Sequence, residues 1–271
     1  MGSAGRTAVV TGVSRRQGIG FAVARRLLSA GMRVCAQGWS PHDVELGLSG
    51  GAETASPEFR AELGGSAETF SHVELDLAEP EAPAELLRQA TERFGSVDTL
   101  VLAHARSSDF DLDALSATEL DLCWAVNVRA SLLLVREFAR RYRDGEHEEG
   151  EHGEGRREGR IVLFTSGQHL APMSGEIPYA ATKGTLHQLT PTLSDALVER
   201  GITVNCVNPG PTDTGWATEE LTASVGRALP RGRWNTPEEA AGVVELLLDE
   251  RATTITGQVL DAEAGFRRWV R

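Results

Sequence analysis

Short runs of apolar, often β-branched residues alternate along this chain with longer stretches in which apolar positions recur every three or four residues. The short runs predict strands at 7–11 (TAVVT), 33–37, 69–75, 98–103 (DTLVLA), 160–165 (RIVLFT), 202–207 (ITVNCV) and 257–261. The longer stretches predict helices near 18–30, 81–94, 116–142, 178–200 and 236–249. Few of the strand runs alternate between polar and apolar residues, which is the pattern of a parallel sheet covered on both faces. Strand and helix in repetition predict an α/β fold, a doubly wound seven-stranded parallel sheet with right-handed crossovers and flanking helices. No linker rich in Pro, Gly or Ser divides the chain, so residues 1–271 are read as a single domain.

One stretch breaks the rhythm. Residues 144–159, DGEHEEGEHGEGRREG, hold seven acidic residues, five glycines and no aliphatic side chain. Such a segment buries too little apolar surface to offset its ordering entropy and reads as a flexible, solvated insert. His147 and His152 lie among its carboxylates, but nothing holds them in a fixed geometry, and no metal site is assigned. The formal net charge of −12 argues against a nucleic-acid-binding surface. Cys35, Cys123 and Cys206 are far apart in apolar stretches, which suits buried thiols in a reducing cytoplasm. No secretory signal pattern and no apolar run long enough for a bilayer is present, so no membrane partner is expected.

Two constellations carry chemistry. In VVTGVSRRQGIGFAVARRLL, residues 9–28, a strand runs into Thr11 and Gly12, and Gly18 and Gly20 open the following helix. Such a turn lets backbone N–H groups approach a diphosphate at the positive end of a helix dipole. Three glycines alone also fit an ordinary strand–helix connection; the strand before and the helix after supply the context the motif requires. In FTSGQHLAPMSGEIPYAATKG, residues 164–184, Tyr179 and Lys183 are four apart and share one helix face. Pro178 suits the first turn of that helix, and Ser166 ends the preceding strand, thirteen residues before the tyrosine.

Taken in order, these pieces resemble the short-chain dehydrogenase/reductase family from about residue 6 to residue 266. The resemblance implies a Rossmann fold and a cofactor turn made of Thr11, Gly12, Ser14, Arg15, Arg16, Gly18, Ile19 and Gly20. It places Asp76 and Leu77 on the adenine side, Ala103 after the fourth strand, and Pro209, Gly210, Thr212 and Thr214 beside the nicotinamide. Asn127, Ser166, Tyr179 and Lys183 match the catalytic tetrad. The implied reaction moves a hydride between a nicotinamide cofactor and a ketone or secondary alcohol, as in the 3-oxoacyl-carrier-protein reductase branch. Tyr179 would be its general acid/base and Ser166 would hold the substrate oxygen. Lys183 would favour phenolate and bind the ribose, and Asn127 would support a proton-relay water. The substrate is expected to be a small carbonyl or alcohol, free or carrier-bound, and the assembly a homotetramer or homodimer. A silent nucleotide-binding or scaffold protein on the same fold is the alternative.

Departures from the family pattern sharpen the reading. Five residues separate Gly12 from Gly18 where the family has three, so the turn must bulge. LAHA, 102–105, replaces Asn-Asn-Ala-Gly and sets His104 near the cofactor, as a structural substitute rather than a chemical group. DAEAGF replaces the usual Asp-Gly-Gly. Residues 213–235 should form a substrate lid, with Trp216, Leu221 and Leu229 as lining or packing residues and Arg227, Arg231 and Arg233 as attractors of an anionic carrier. Finally, Gly38 and Trp39 end the second strand where an NAD-dependent relative has a carboxylate, and Asp43 is read as past the site. With Arg15 and Arg16 closest to a 2′-phosphate, NADP(H) is favoured and NAD(H) is the alternative.

Overall fold

The structure, a computed structural model, describes residues 5–45, 47, 56–144 and 158–269. All of the acidic insert except Asp144, Glu158 and Gly159 lies outside them. Seven strands, β1 (Thr7–Thr11), β2 (Arg33–Gly38), β3 (Phe70–Glu74), β4 (Thr99–Leu102), β5 (Gly159–Phe164), β6 (Ile202–Asn208) and β7 (Val259–Asp261), form one sheet in the order β3-β2-β1-β4-β5-β6-β7. Every pairing is parallel. The chain leaves β1 for β2 on one side and returns to β4 on the other. Such a reversal opens a crevice outside the carboxyl ends of the strands, where ligands bind in this kind of sheet.

Both faces of the sheet are apolar because successive strand residues point to opposite sides. Val9, Cys35, Leu100, Ile161, Leu163 and Val204 join Leu86, Leu87, Leu134 and Phe138 in one cluster. Ala8, Val10, Val34, Val101, Val162 and Val207 join Phe21, Leu27, Val244 and Leu247 in the other. The first cluster is covered by α4 (Ala82–Phe94) and α6 (Ala130–Asp144), the second by α1 (Ile19–Ser29) and α9 (Pro237–Leu248). The absence of strict polar alternation in the sequence is thus explained by two covered faces. Cys35, Cys123 and Cys206 are buried free thiols.

The other helices are α2 (Ser40–Glu45), α3 (Pro57–Leu63), α5 (Ala117–Cys123), α7 (Ile177–Leu197) and α8 (Glu219–Ala228). The sequence pattern does not show α2, α3 and α8, which are short; Ser56 caps α3 by accepting from Phe59 N, and Thr218 caps α8 by accepting from Leu221 N. It also read 116–142 as one uninterrupted helix. Between α5 and α6 the winding loosens into a π-helical turn, Trp124–Arg129, which contains Asn127. Among the described residues no helix is long and apolar enough to cross a membrane.

α9 offers a check on this core. Thr236 and Glu239 form a reciprocal capping box at its start, and Leu247 is 3 % exposed while its neighbour Leu246 is 66 % exposed. Replacing Leu247 by Ala should cost about 2–5 kcal/mol in denaturant unfolding, and Leu246→Ala less than about 0.5 kcal/mol. Equal costs would mean that α9 is not seated on the sheet in this orientation.

Candidate active site

The cofactor turn is built by close backbone approach. Gly12 has φ 75°, and a side chain there would put its Cβ 2.8 Å from the His104 nitrogen. A Cβ at Gly20 would lie 2.8 Å from the Gly12 carbonyl carbon and closer still to its oxygen. α1 then begins at Gly18 with no side-chain cap and no acidic residue in its first turn, leaving its amide end open to an anion. Glycines in close contact ahead of an uncapped helix fit a dinucleotide diphosphate. The two extra residues are taken up in a bulge closed by Gly18 N donating to Arg15 O at 3.0 Å. The bulge reaches the segment after β6: Arg15 Nη1 donates to Thr214 O at 2.7 Å, and the Gln17 carboxamide lies over Gly215.

Ser166, Tyr179 and Lys183 come together where β5 ends and α7 begins. Lys183 is buried; its Nζ donates to Phe164 O at 2.9 Å and lies 5.6 Å from the centre of the Tyr179 ring. Desolvation brings its ammonium down to about 8. Burial, reinforced by the Glu176 carboxylate, pushes the Tyr179 phenol up to about 12, against a hydrogen bond from Ser166. The helix that carries them is pinned by Thr165 Oγ1 donating to Lys183 O and Thr182 Oγ1 donating to Tyr179 O, both at 2.8 Å.

Asn127 is fully buried, and its side-chain amide is engaged on both ends. Oδ1 accepts from Arg106 N at 2.7 Å; Nδ2 donates to Arg106 O at 3.0 Å and to Thr182 Oγ1 at 2.9 Å. Its own carbonyl accepts from Ser131 Oγ at 2.7 Å. It therefore joins the loop after β4 to the helix of Tyr179. The β-branched Val126 and Val128 on either side are the one sequence feature that disfavours regular α winding here.

His104 shows what LAHA does. Its Nε2 lies 3.1 Å from the Val126 carbonyl, which can only accept, so Nε2 carries the proton. Nδ1 then accepts from Thr11 Oγ1 at 2.7 Å. Burial, with the Lys183 charge adding to it, drops this imidazole to about 3. It is a neutral brace between the cofactor turn and the π-helical turn.

The remaining predicted residues divide by position. Ala103 touches the turn at Gly12, whereas the Leu77 side chain is buried in the core against α4, leaving only its backbone for a ligand. Asp76 Oδ1 accepts from Ala78 N at 2.8 Å. Ser14 overhangs Gly38, where a Cβ would meet Val13 O and His72 Nε2 at 3.0 Å, so β2 has no room for a side chain at that point. Arg16 turns outward, donating to Glu62 at 2.8 Å and lying over the Phe59 ring. Arg15 turns inward onto Asp43, which the sequence reading had placed past the site: Nε and Oδ1 are 3.1 Å apart. α2 begins at Ser40, two residues after β2 ends, and its first turn brings position 43 back toward the cofactor turn, which linear spacing does not show.

Beyond β6, Gly210 has φ 64° and packs on Glu263, while Thr212 Oγ1 donates to Gly210 O at 3.1 Å. Pro209 O accepts from Asn235 Nδ2 at 2.8 Å, which, with the Thr212–Asn235 bridge, closes the base of the 213–235 segment. Within that segment Leu229 is buried, Leu221 half-buried and Trp216 exposed, its ring edge-on to Trp234. Arg231 and Arg233 are both drawn onto Glu239, at 2.6 and 2.9 Å. The sequence reading missed Glu119, which holds Arg106 through two bonds at 3.0 and 3.1 Å, and Glu263, which pairs with Arg268 and accepts from Asn208. Both acids precede or follow their partners by unremarkable spacings and carry no motif.

Residues 12–267 match a family model described as Enoyl-(Acyl carrier protein) reductase. A Bacillus subtilis protein named as an uncharacterized oxidoreductase, YjdA, is 35 % identical over 97 % of each chain. NADPH-dependent aldehyde reductase 2 of Arabidopsis thaliana is 29 % identical, over 97 % of this chain and 94 % of its own. A solved short-chain dehydrogenase/reductase from Serratia marcescens superposes with a TM-score of 0.81 at 29 % identity, covering 98 % of this chain and 99 % of the other.

The buried imidazole makes stability depend on pH. His104 has a folded-state value near 3 and an unfolded value near 6.5, so between them only the unfolded chain binds its proton. Its contribution is therefore fully present above about pH 6.5 and falls on acidification, by up to about 1.4 kcal/mol per pH unit. His104→Gln should flatten the pH dependence of urea unfolding between pH 6.5 and 4. An unchanged slope would mean that the imidazole is not held neutral.

Proposed function

The chain belongs to the short-chain dehydrogenase/reductase family, and from that premise we propose that it transfers a hydride between NAD(P)(H) and a ketone or secondary alcohol, with Tyr179 as general acid/base. The observation that carries this reading is the meeting of Ser166, Tyr179 and Lys183 at the end of β5, beside the glycine turn at the end of β1. Gly12, Gly18 and Gly20 would hold the diphosphate, with Asp76 and Ala103 toward the adenine and Pro209, Gly210, Thr212 and Thr214 toward the nicotinamide.

When bound, the nicotinamide supplies or accepts the hydride. The chain's own residues handle the proton. Ser166 Oγ orients and polarises the substrate oxygen. With its phenol at about 12, Tyr179 stands protonated at neutral pH and is ready to donate to a carbonyl oxygen. Lys183, brought down to about 8, sits close enough to neutrality to exchange protons and to stabilise the phenolate left behind. Asn127 acts here as a positioning residue, since its side chain is spent on Arg106 and Thr182.

Cofactor preference is assigned to NADPH. β2 ends in Gly38 and Trp39 without a carboxylate, and Arg15 is the inward-turned cation of the cofactor turn. The substrate is read as a free small molecule, because Arg231 and Arg233 are engaged by Glu239 and no longer favour a carrier. A homodimer or homotetramer fits the outer groove between α6 and α7, lined by Leu132, Val135, Leu193 and Ala196, with Leu120 and Trp124 exposed nearby. The buried free thiols suit a reducing cytoplasm.

Tyr179→Phe should lower kcat at least about 100-fold while leaving the cofactor Kd within about twofold. A variant that kept more than a tenth of wild-type turnover would remove Tyr179 from the mechanism. In the wild type, NADPH should bind more tightly than NADH, but by less than the roughly 10- to 100-fold of a free charge-assisted contact, because Arg15 must be shared with Asp43. Equal affinities would refute the preference.

A further inference from the structure

Glu176, Tyr179 and Lys183 follow one another at helical spacing from the cap position of α7: an acid, the phenol and a base, in that order. Lys183 lies inward, buried and held on Phe164 O. Glu176 stands at the outer end, half-buried, and its carboxylate caps nothing and has no hydrogen-bond or ion-pair partner among the described residues. Burial raises its pKa and the Asp109 charge adds to the effect, as expected of an acid without a counter-ion. Ile177 N donates to Phe110 O at 2.9 Å, which fastens the loop of the exposed Asp109 beside the start of α7. Glu176 N donates to Met173 O at 3.1 Å, and Met173 Sδ lies 4.0 Å from Ser166 Oγ, so a thioether lines the way from Ser166 to this acid. Arg15, Arg106, Arg231, Arg233 and Arg268 are each drawn onto other carboxylates, and none of them is spent on Glu176.

Resting on the reading that Ser166 and Tyr179 hold the substrate oxygen, we propose that Glu176 is a specificity-determining residue that selects a carbonyl or alcohol substrate carrying an ammonium group. The oxygen of such a substrate takes the hydrogen bonds of Ser166 and Tyr179. Its ammonium then faces the Glu176 carboxylate one helical turn further out, with the Asp109 charge adding to the attraction. The cation supplies the partner this acid lacks, and a half-buried position screens the pair less than open solvent does. A neutral substrate leaves the carboxylate uncompensated, and an anionic one is repelled by it. Burial first and the Glu176 charge second also keep the Tyr179 phenol protonated, whatever the substrate. Selection is therefore read from the ratio between substrates and not from turnover alone.

The test compares kcat/KM at neutral pH, with NADPH, for three ketones of similar shape: the N,N-dimethyl-4-oxopiperidinium ion, its neutral isostere 4,4-dimethylcyclohexanone, and 4-oxocyclohexanecarboxylate. The proteins are wild type, Glu176→Gln, Asp109→Asn and Glu199→Gln, the last an exposed acid just beyond the far end of α7 that controls for overall charge. Thermal midpoints serve as fold controls. Wild type should favour the cation over its neutral isostere at least about tenfold, with the anion poorest. Glu176→Gln should bring the cation-to-neutral ratio to within about threefold of unity, and Asp109→Asn should lower it by less, as an exposed charge does. Glu199→Gln should leave it unchanged. A wild type that prefers the neutral or anionic ketone overturns the proposal, as does a folded Glu176→Gln that keeps the preference. So does a loss of preference in Glu199→Gln as large as in Glu176→Gln, which is the mark of net charge alone. If Glu176→Gln fails to fold, Glu176→Ala decides. Turnover of none of the three counts against the hydride-transfer reading; their Kd values, with and without NADPH, then decide this one by the same order, and binding of none overturns it.

Discussion

A hydrogen bond of 2.7 Å from Thr11 Oγ1 to His104 Nδ1 sets how the glycine turn after β1 sits against the Ser166, Tyr179 and Lys183 group. Thr11 ends β1, His104 follows β4, and the other ring nitrogen gives its proton to Val126 O in the π-helical turn. From that turn Asn127 reaches Arg106 and Thr182, and Thr182 bonds the carbonyl of Tyr179. Glycine turn and phenol are thereby connected through a run of buried hydrogen bonds that works in one protonation state. A charged imidazole would have two donors, and Thr11 could no longer donate to it. Lys183, whose charge also opposes that state, is itself part of the site. The family's usual amides at 102 and 103 are absent, and the imidazole supplies a bridge in their stead.

Around the mouth of the crevice the arginines are matched by carboxylates: Arg15 by Asp43, Arg106 by Glu119, Arg231 and Arg233 by Glu239, Arg268 by Glu263. The largely buried pairs, Arg15–Asp43, Arg106–Glu119 and Arg268–Glu263, fix geometry more than they add stability, because desolvation offsets most of the attraction. Glu263 illustrates the point. It stands where the family tends to have glycine, and it fits because Gly210 opposite has no side chain and a positive φ. There it bonds Asn208 and Arg268, and the Arg268 guanidinium fills the space over Gly167, the residue after Ser166. A departure that looks disruptive in the sequence is a local support for two loops of the site.

What the sequence made legible follows from what it encodes locally. Seven strand runs map onto seven strands within a residue or two; the inner strands stand out because both their faces are covered, and the edge strands β3 and β7 are partly exposed. The glycine turn was legible because only glycine allows the approach of Gly20 to Gly12 O. Tyr179 and Lys183 were legible because helical spacing alone puts them on one face. The π-helical turn at Asn127 was not, since its winding depends on the contacts of Asn127 with Arg106 and Thr182, which are distant or unmarked in the sequence. Nor was the pairing of Arg15 with Asp43, which depends on how a six-residue helix folds back after β2. The carboxylate beside Arg15 comes from the first turn of that helix and not from the strand end.

Tyr179 and Lys183 are moved apart by one cause. Burial penalises charge, so it raises the acid toward 12 and lowers the base toward 8. In water the two groups titrate close together, near 10. In the folded protein, at neutral pH, the phenol keeps its proton firmly while the ammonium is within about a unit of releasing one. That ordering suits proton delivery to a carbonyl, with the lysine as the nearer source for reprotonation. The opposite direction needs a positive charge brought beside the phenol, and an oxidised nicotinamide carries one. On the function proposed above, direction would be coupled to the redox state of the bound nicotinamide, and the hydrogen bonds of His104 to Thr11 and Val126 O would hold the two halves in register while that charge changes.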